Sequence, residues 1–91
     1  METRRCVVRG RVQGVAFRYF VVRHARELGV RGTVRNRADG AVEAVLQADT
    51  AVAIEALIER IRQGPRAARV EAVEVESVEN EKRYDDFEVV R

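Results

Sequence analysis

Ninety-one residues are enough for one modest core, and the expectation is a single domain over 1–91. Apolar residues at 46% and charged residues at 35% argue against a disordered chain, and no apolar run approaches the ~20 residues of a membrane span. The net charge of +2 is uneven: residues 1–40 carry ten Arg against Glu2, Glu27 and Asp39, whereas residues 41–91 carry seven basic against twelve acidic residues. Such asymmetry steers an anionic ligand to one end, or marks RNA, although sixteen Arg among seventeen basic residues also fits a compositional bias.

The first residues, with Glu2, Arg4 and Arg5 before Cys6, do not have the pattern of a signal peptide, so the expected location is cytoplasmic. Residues 4–12 alternate. Cys6, Val8, Gly10 and Val12 share one face, and Arg5, Val7, Arg9 and Arg11 the other, which describes a half-buried strand with a basic wet face. Cys6 is the only cysteine; it has no internal partner and reads as a small buried hydrophobe. With His24 the only histidine, no Cys/His constellation exists, which argues against a protein-built zinc site or Cys–His catalysis.

The stretch Gly10-Arg-Val-Gln-Gly-Val-Ala-Phe-Arg18 joins that strand to a helical pattern. Gly14 permits positive φ and close backbone approach, the helix start adds unpaired N–H groups, and Arg18 supplies a planar cationic fork. The combination suits an anion. By spacing alone it is neither a Walker A loop nor G-x-G-x-x-G, and a plain βα connection with a solvated arginine remains the competing reading.

Phe17, Val21, Ala25 and Leu28 recur at one face of a 3.6 period, predicting a helix over 17–28 that stops at Gly29. His24 flanks this stripe and reads as a packing or surface histidine rather than a catalyst. Val30 to Asn36 alternate again, with Val30, Gly32 and Val34 inward. Arg37 to Gly40 form a turn, and Ala41 to Ala48 return with Val42, Ala44 and Leu46 inward, so the pair is a hairpin with Arg35 near Glu43 on its outer face. Asp49 or Thr50 caps a second helix with Ile54, Leu57, Ile58 and Ile61 buried, ended by Gly64-Pro65. Val70 to Val78 read as a strand whose apolar parity changes between Ala72 and Val73, predicting a bulge or twist. Asn80 to Lys82 turn the chain, and Phe87 and Val89 point inward from a short last strand.

The order β-α-β-β-α-β plus a short strand describes an α+β ferredoxin-like fold: a double split β-α-β sandwich, with an antiparallel sheet carrying two helices on one face and water on the other. A right-handed first crossover makes the first two strands parallel, so the loop 13–18 and the turn 36–40 share one rim. Asn36 then faces the loop with both a donor and an acceptor, able to orient a water.

Two motifs carry a family resemblance. Gly10, Val12, Gln13, Gly14, Val15, Phe17 and Arg18 match the phosphate-binding loop of the acylphosphatases, and Gly32, Val34, Asn36, Gly40 and Val42 match a second signature of that family. Thr33 departs where the family usually has an aromatic residue, and Ala48 where a glycine commonly precedes the second helix. The resemblance implies an enzyme that hydrolyses carboxyl-phosphate bonds to carboxylate and inorganic phosphate, with no metal or cofactor. It implies phosphate binding by Gln13, Gly14, Val15, Ala16, Phe17 and Arg18, and catalysis by Arg18 and the water-orienting Asn36. A carboxylate leaves without a strong general acid, so positioning and electrostatics suffice. The expected partners are a small acyl phosphate and inorganic phosphate, with the protein a monomer away from membranes and nucleic acid not expected. The rivals are a non-catalytic ferredoxin-like module that binds anions or RNA, and an accessory domain like the one preceding the carbamoyl-transfer machinery of a large hydrogenase-maturation protein.

Overall fold

A computed structural model describes residues 1–79 and 82–91. In chain order the elements are β1 (Glu2–Arg11), α1 (Phe17–Leu28), β2 (Arg31–Asn36), β3 (Val42–Ala48), α2 (Ala51–Gln63), β4 (Arg69–Ser77) and β5 (Phe87–Val89). The turn expected at Asn80 to Lys82 falls on Asn80 and Glu81, which lie outside the described residues.

The strands form one sheet in the order β4-β1-β3-β2-β5. β3 lies antiparallel between β1 and β2, as a right-handed crossover requires. The expectation of an antiparallel sheet needs one correction: β5 pairs parallel to β2, Val34 opposite Val89, so the sheet is mixed. The chain reaches β5 from the far edge strand β4, and so can enter beside β2 in the same direction as β2. Arg26 on α1 holds this last strand in place. Its Nε and Nη2 donate to the two carboxylate oxygens of Asp86 at 3.2 and 3.1 Å, and Nη2 also donates to the Phe87 carbonyl at 3.0 Å. The two-pronged geometry fixes direction as well as distance.

Both helices lie on one face. Phe17, Val21 and Ala25 of α1 and Ile54, Leu57, Ile58 and Ile61 of α2 meet Cys6, Val8, Val34, Val42, Ala44, Leu46 and Phe87 in a single cluster. Burying each large apolar side chain there contributes about 1.5–3 kcal/mol before the ordering cost. The helix ends follow their residues. Gly29 closes α1 at φ +72°, and Thr50 caps α2 with its Oγ1 accepting from the Ala53 N–H at 3.4 Å. Asp49 is not the cap; its carboxylate pairs with Arg31 at 3.2 Å.

The parity change in β4 is a bulge. Arg9 stands opposite Ala72 but Gly10 opposite Val70, leaving Glu71 as the extra residue. The bulge presses β4 against Gly10, where φ is +128° and a Cβ would overlap the Arg69 carbonyl. Only glycine fits that approach, and it stands just before the loop.

The opposite face of the sheet is not wholly left to water. At one end Gln47 and Thr3 are buried, because Gln47 Nε2 donates to Thr3 Oγ1 (3.1 Å) and the Lys82 carbonyl (2.8 Å) while its Oε1 accepts from the Tyr84 N–H (3.0 Å). The segment before β5 is thereby tied across the sheet. Elsewhere that face is laced by ion pairs: Arg5–Glu76 at 2.6 Å, Arg9–Glu74 at 2.7 Å and the expected Arg35–Glu43 at 3.3 Å. Cys6 is fully buried, and desolvation pushes its thiol up to about 11, so it is a core residue and not a nucleophile.

Candidate active site

Two stretches meet at one rim of the sheet: the loop between β1 and α1, and the turn between β2 and β3. Val12 is buried and Val15 packs against the core, so the loop is anchored on both sides of Gly14 while the backbone between them faces out. Gly14 takes φ +75° and Ala16 takes φ +60°, ψ +25°. Ala16 is the one non-glycine residue at positive φ among the described residues, a conformation costing of order 1–2 kcal/mol for an L-residue. It also occupies the N-cap position of α1, where its methyl caps nothing.

The contrast with α2 is direct. There a threonine side chain closes the helix start, whereas at α1 the first backbone bond is Phe20 N–H to the Ala16 carbonyl, 3.1 Å. Among the described residues no acceptor engages the N–H groups from Gly14 to Tyr19. No acidic residue stands in the first turn. A run of unpaired donors at the positive end of a helix is complementary to an anion. Arg18 sits in this first turn, half-buried and in no ion pair among the described residues. Phe17 turns its ring into the core, so only its backbone N–H faces the loop.

Gln13 does something its place in the motif did not announce. Its Nε2 donates to the Arg37 carbonyl at 2.8 Å and to the Ala41 carbonyl at 3.0 Å, bracing the loop against the turn. The side-chain amide is therefore committed to protein carbonyls, while its backbone stays with the loop. The turn is itself well held. Arg37 N–H donates to the Ala41 carbonyl at 2.8 Å, Gly40 N–H to the Arg37 carbonyl at 3.2 Å, and Asp39 Oδ1 accepts from the Ala41 N–H at 3.1 Å. That backbone bond, followed by Arg37 and Arg9 nearby, holds the Asp39 carboxyl below its ordinary value.

Asn36 ends β2 opposite Val42. It continues the inward parity of the buried Gly32 and Val34, so it lies on the helix-bearing face, at the rim next to the braced loop. Its Oδ1 is buried and has no hydrogen-bond partner. A buried, unsatisfied amide oxygen costs about 1–3 kcal/mol unless a donor fills the space before it, and water is the smallest donor that does.

The other residues singled out by sequence have plain structural roles. His24 packs its ring 4.3 Å from Phe20 by centroids and faces Arg60 at 2.8 Å from Nδ1. Burial is the main cause of its lowered pKa, which disfavours the imidazolium form between the helices. Thr33 is half-buried on the outer face opposite Val45. Ala48 lies in regular β3 opposite Glu2 and not at positive φ, so alanine is accommodated without strain. Among the described residues no group of three or more His, Cys, Asp and Glu is arranged to hold a metal.

Known proteins share both sequence and shape with this chain. The family model described as Acylphosphatase matches residues 4–89. The acylphosphatase of Nitrobacter hamburgensis is 56% identical over 75 residues, 82% of this chain and 75% of that protein. The crystal structure of the acylphosphatase from Bacillus subtilis superposes with a TM-score of 0.95 at 33% identity, covering 100% of both chains. A full-length HypF in its phosphate- and nucleotide-bound form matches with a TM-score of 0.83 at 32% identity, over 99% of this chain but 12% of that one. With a braced, donor-rich loop ahead of an uncapped helix, an orphaned asparagine beside it, and a family match across nearly its whole length, the chain belongs to the acylphosphatase family.

Proposed function

We propose that this acylphosphatase grips the phosphoryl group of its substrate with the loop Gln13–Arg18 and aims the attacking water with Asn36. The unpaired N–H groups from Gly14 to Arg18 and the Arg18 guanidinium take the phosphoryl oxygens. Val15, Ala16 and Phe17 contribute backbone only. Asn36 Oδ1 accepts an O–H of water and holds its lone pair toward phosphorus. The water oxygen bonds to phosphorus, the bond from phosphorus to the acyl oxygen breaks, and its electron pair leaves on the carboxylate. The proton released by water ends on the phosphate, so acyl phosphate dianion and water give carboxylate and dihydrogen phosphate.

No side chain has to act as a strong acid, because the leaving group is a carboxylate whose conjugate acid has a pKa near ~4. Orientation and charge stabilisation carry the reaction, and the reading calls on no metal or cofactor. The single observation that carries it is the pairing of an uncapped α1 with the buried, unpartnered Asn36 Oδ1 on one braced rim. The RNA-binding rival is disfavoured by the outer face, whose Arg5, Arg9 and Arg35 are already paired with Glu76, Glu74 and Glu43. Glutamates along the free edge of β4 blunt strand pairing, which supports a monomer, and a lone buried cysteine needs no oxidising compartment, which supports a cytoplasmic setting. Among the described residues no helix is long and apolar enough to cross a membrane. The unit carrying this activity is residues 1–91.

Phosphate release from benzoyl phosphate tests the assignment. Arg18→Ala is expected to lower kcat/KM about 10³-fold or more and to abolish inhibition by inorganic phosphate. Asn36→Ala is expected to lower kcat about 10²–10³-fold while phosphate still inhibits. Turnover by Arg18→Ala at the parent rate would overturn the site.

A further inference from the structure

Beside the loop lies a groove of about 520 Å³ that the phosphoryl chemistry leaves unused. One wall is the exposed side of α1, with Tyr19, Phe20 and Arg23; the other is the α2–β4 connection, with Gly64, Pro65 and Arg66. Ala16, in the loop just before α1, closes its end. We propose that this groove holds the acyl half of the substrate and selects acyl groups with an apolar body and an anionic far end. The proposal rests on the acyl phosphate reading above and specifies the substrate that reading leaves open.

Three observations support it. The first is placement. In-line displacement needs the water and the leaving group on opposite sides of phosphorus. The sheet order puts β3 and β2, with Asn36, on one flank of β1, and puts β4 on the other. The connection 64–68 leads into β4 at Arg69, opposite Arg11 at the end of β1. The loop thus stands between Asn36 and the groove, and a leaving carboxylate directed away from Asn36 enters the groove.

The second is size and chemistry. The volume lies within the ~300–1,000 Å³ of small-molecule sites and is larger than a phosphoryl group alone requires. Phe20, Pro65 and the Tyr19 ring offer apolar surface, and Tyr19 is 71% exposed, a large aromatic with little packing to explain it. Arg23 and Arg66 stand at the same groove, and Arg66 is in no ion pair among the described residues.

The third is rigidity. Gly64 leaves α2 at φ +67°, and a Cβ there would come 3.2 Å from the Phe17 ring and 3.2 Å from Val70. The far wall is therefore seated against the residue that follows Ala16, which fixes the groove relative to the loop.

The test compares acetyl phosphate, benzoyl phosphate and 4-carboxybenzoyl phosphate on the parent, on Tyr19→Ala and on the double variant Arg23→Gln/Arg66→Gln. Tyr19→Ala is expected to lose roughly tenfold in kcat/KM on both benzoyl substrates and less than about twofold on acetyl phosphate. The double variant is expected to lose roughly tenfold on 4-carboxybenzoyl phosphate alone, through KM, with that substrate's advantage in the parent shrinking as salt rises. Equal effects on all three substrates, or none, would overturn the groove while leaving the hydrolase reading intact. A parent that turns over none of the three would overturn both.

Discussion

Gln13→Ala tests whether the brace between loop and turn sets the catalytic geometry. The substitution removes two hydrogen bonds, 2.8 Å to the Arg37 carbonyl and 3.0 Å to the Ala41 carbonyl. Neither carbonyl is orphaned, because Arg37 O still accepts from Gly40 N–H and Ala41 O from Arg37 N–H. The cost is then the net worth of two neutral bonds, about 1–2 kcal/mol, without the added penalty of buried unsatisfied acceptors. For a chain of this size that lowers Tm by roughly 4–15 °C. The larger effect is expected in rate. Freed from the turn, the loop holds phosphate at a drifting distance from Asn36, and a misplacement of about 1 Å costs about 10²-fold. Because Arg18 and the loop N–H groups remain, the loss falls on kcat rather than on inhibition by phosphate. Gln13→Glu is expected to be worse than alanine, since its carboxylate would face two carbonyl oxygens with no donor. The assay is benzoyl phosphate hydrolysis alongside thermal unfolding. A lowered Tm with kcat unchanged would refute the reasoning, leaving Gln13 a purely structural tie.

Gln47→Leu is expected to destabilise by about 2–4 kcal/mol in urea, because it withdraws three bonds at a fully buried position, from Thr3, the Lys82 carbonyl and the Tyr84 N–H. Ala16→Gly is expected to stabilise by about 0.5–1 kcal/mol, since glycine takes φ +60° without a Cβ clash but enlarges the unfolded ensemble. Cys6 is expected to resist thiol reagents in the native state at pH 8, and its linkage has a definite sign. The folded thiol is raised from 9.0 to about 11, so the unfolded chain releases that proton first. The stability this provides is full below pH ~9 and is lost as pH rises toward about 11, at ~1.4 kcal/mol per pH unit, a slope that Cys6→Ala should remove.

Much of this was readable in the residues. The stripes Phe17–Val21–Ala25 and Ile54–Leu57–Ile58–Ile61 gave both helices, because a 3.6 period admits one buried face. Alternation gave the strands, and the break in parity in β4 gave a bulge, found at Glu71. Right-handed crossover then predicted a shared rim for Gln13 and Asn36 without any distance being known. What stayed hidden depends on pairings far apart along the chain. Nothing local says that Arg26 grips Asp86, 60 residues away, or that β5 enters parallel to β2. Gln47 is a polar residue in a strand, and strand parity does not reveal that a later segment covers it. Gln13 stands in the loop the motif marks, but nothing local reveals the two carbonyl partners, 24 and 28 residues on, that make its side chain a brace.

Most depends on the donor-rich loop being the phosphate site. Titrating ¹⁵N-labelled protein with inorganic phosphate tests it directly. The amide signals of Gly14 to Arg18 are expected to move together with a single saturation curve, and to stay still in Arg18→Ala. Phosphate-dependent shifts centred elsewhere, or shifts at the loop that persist unchanged without Arg18, would contradict it.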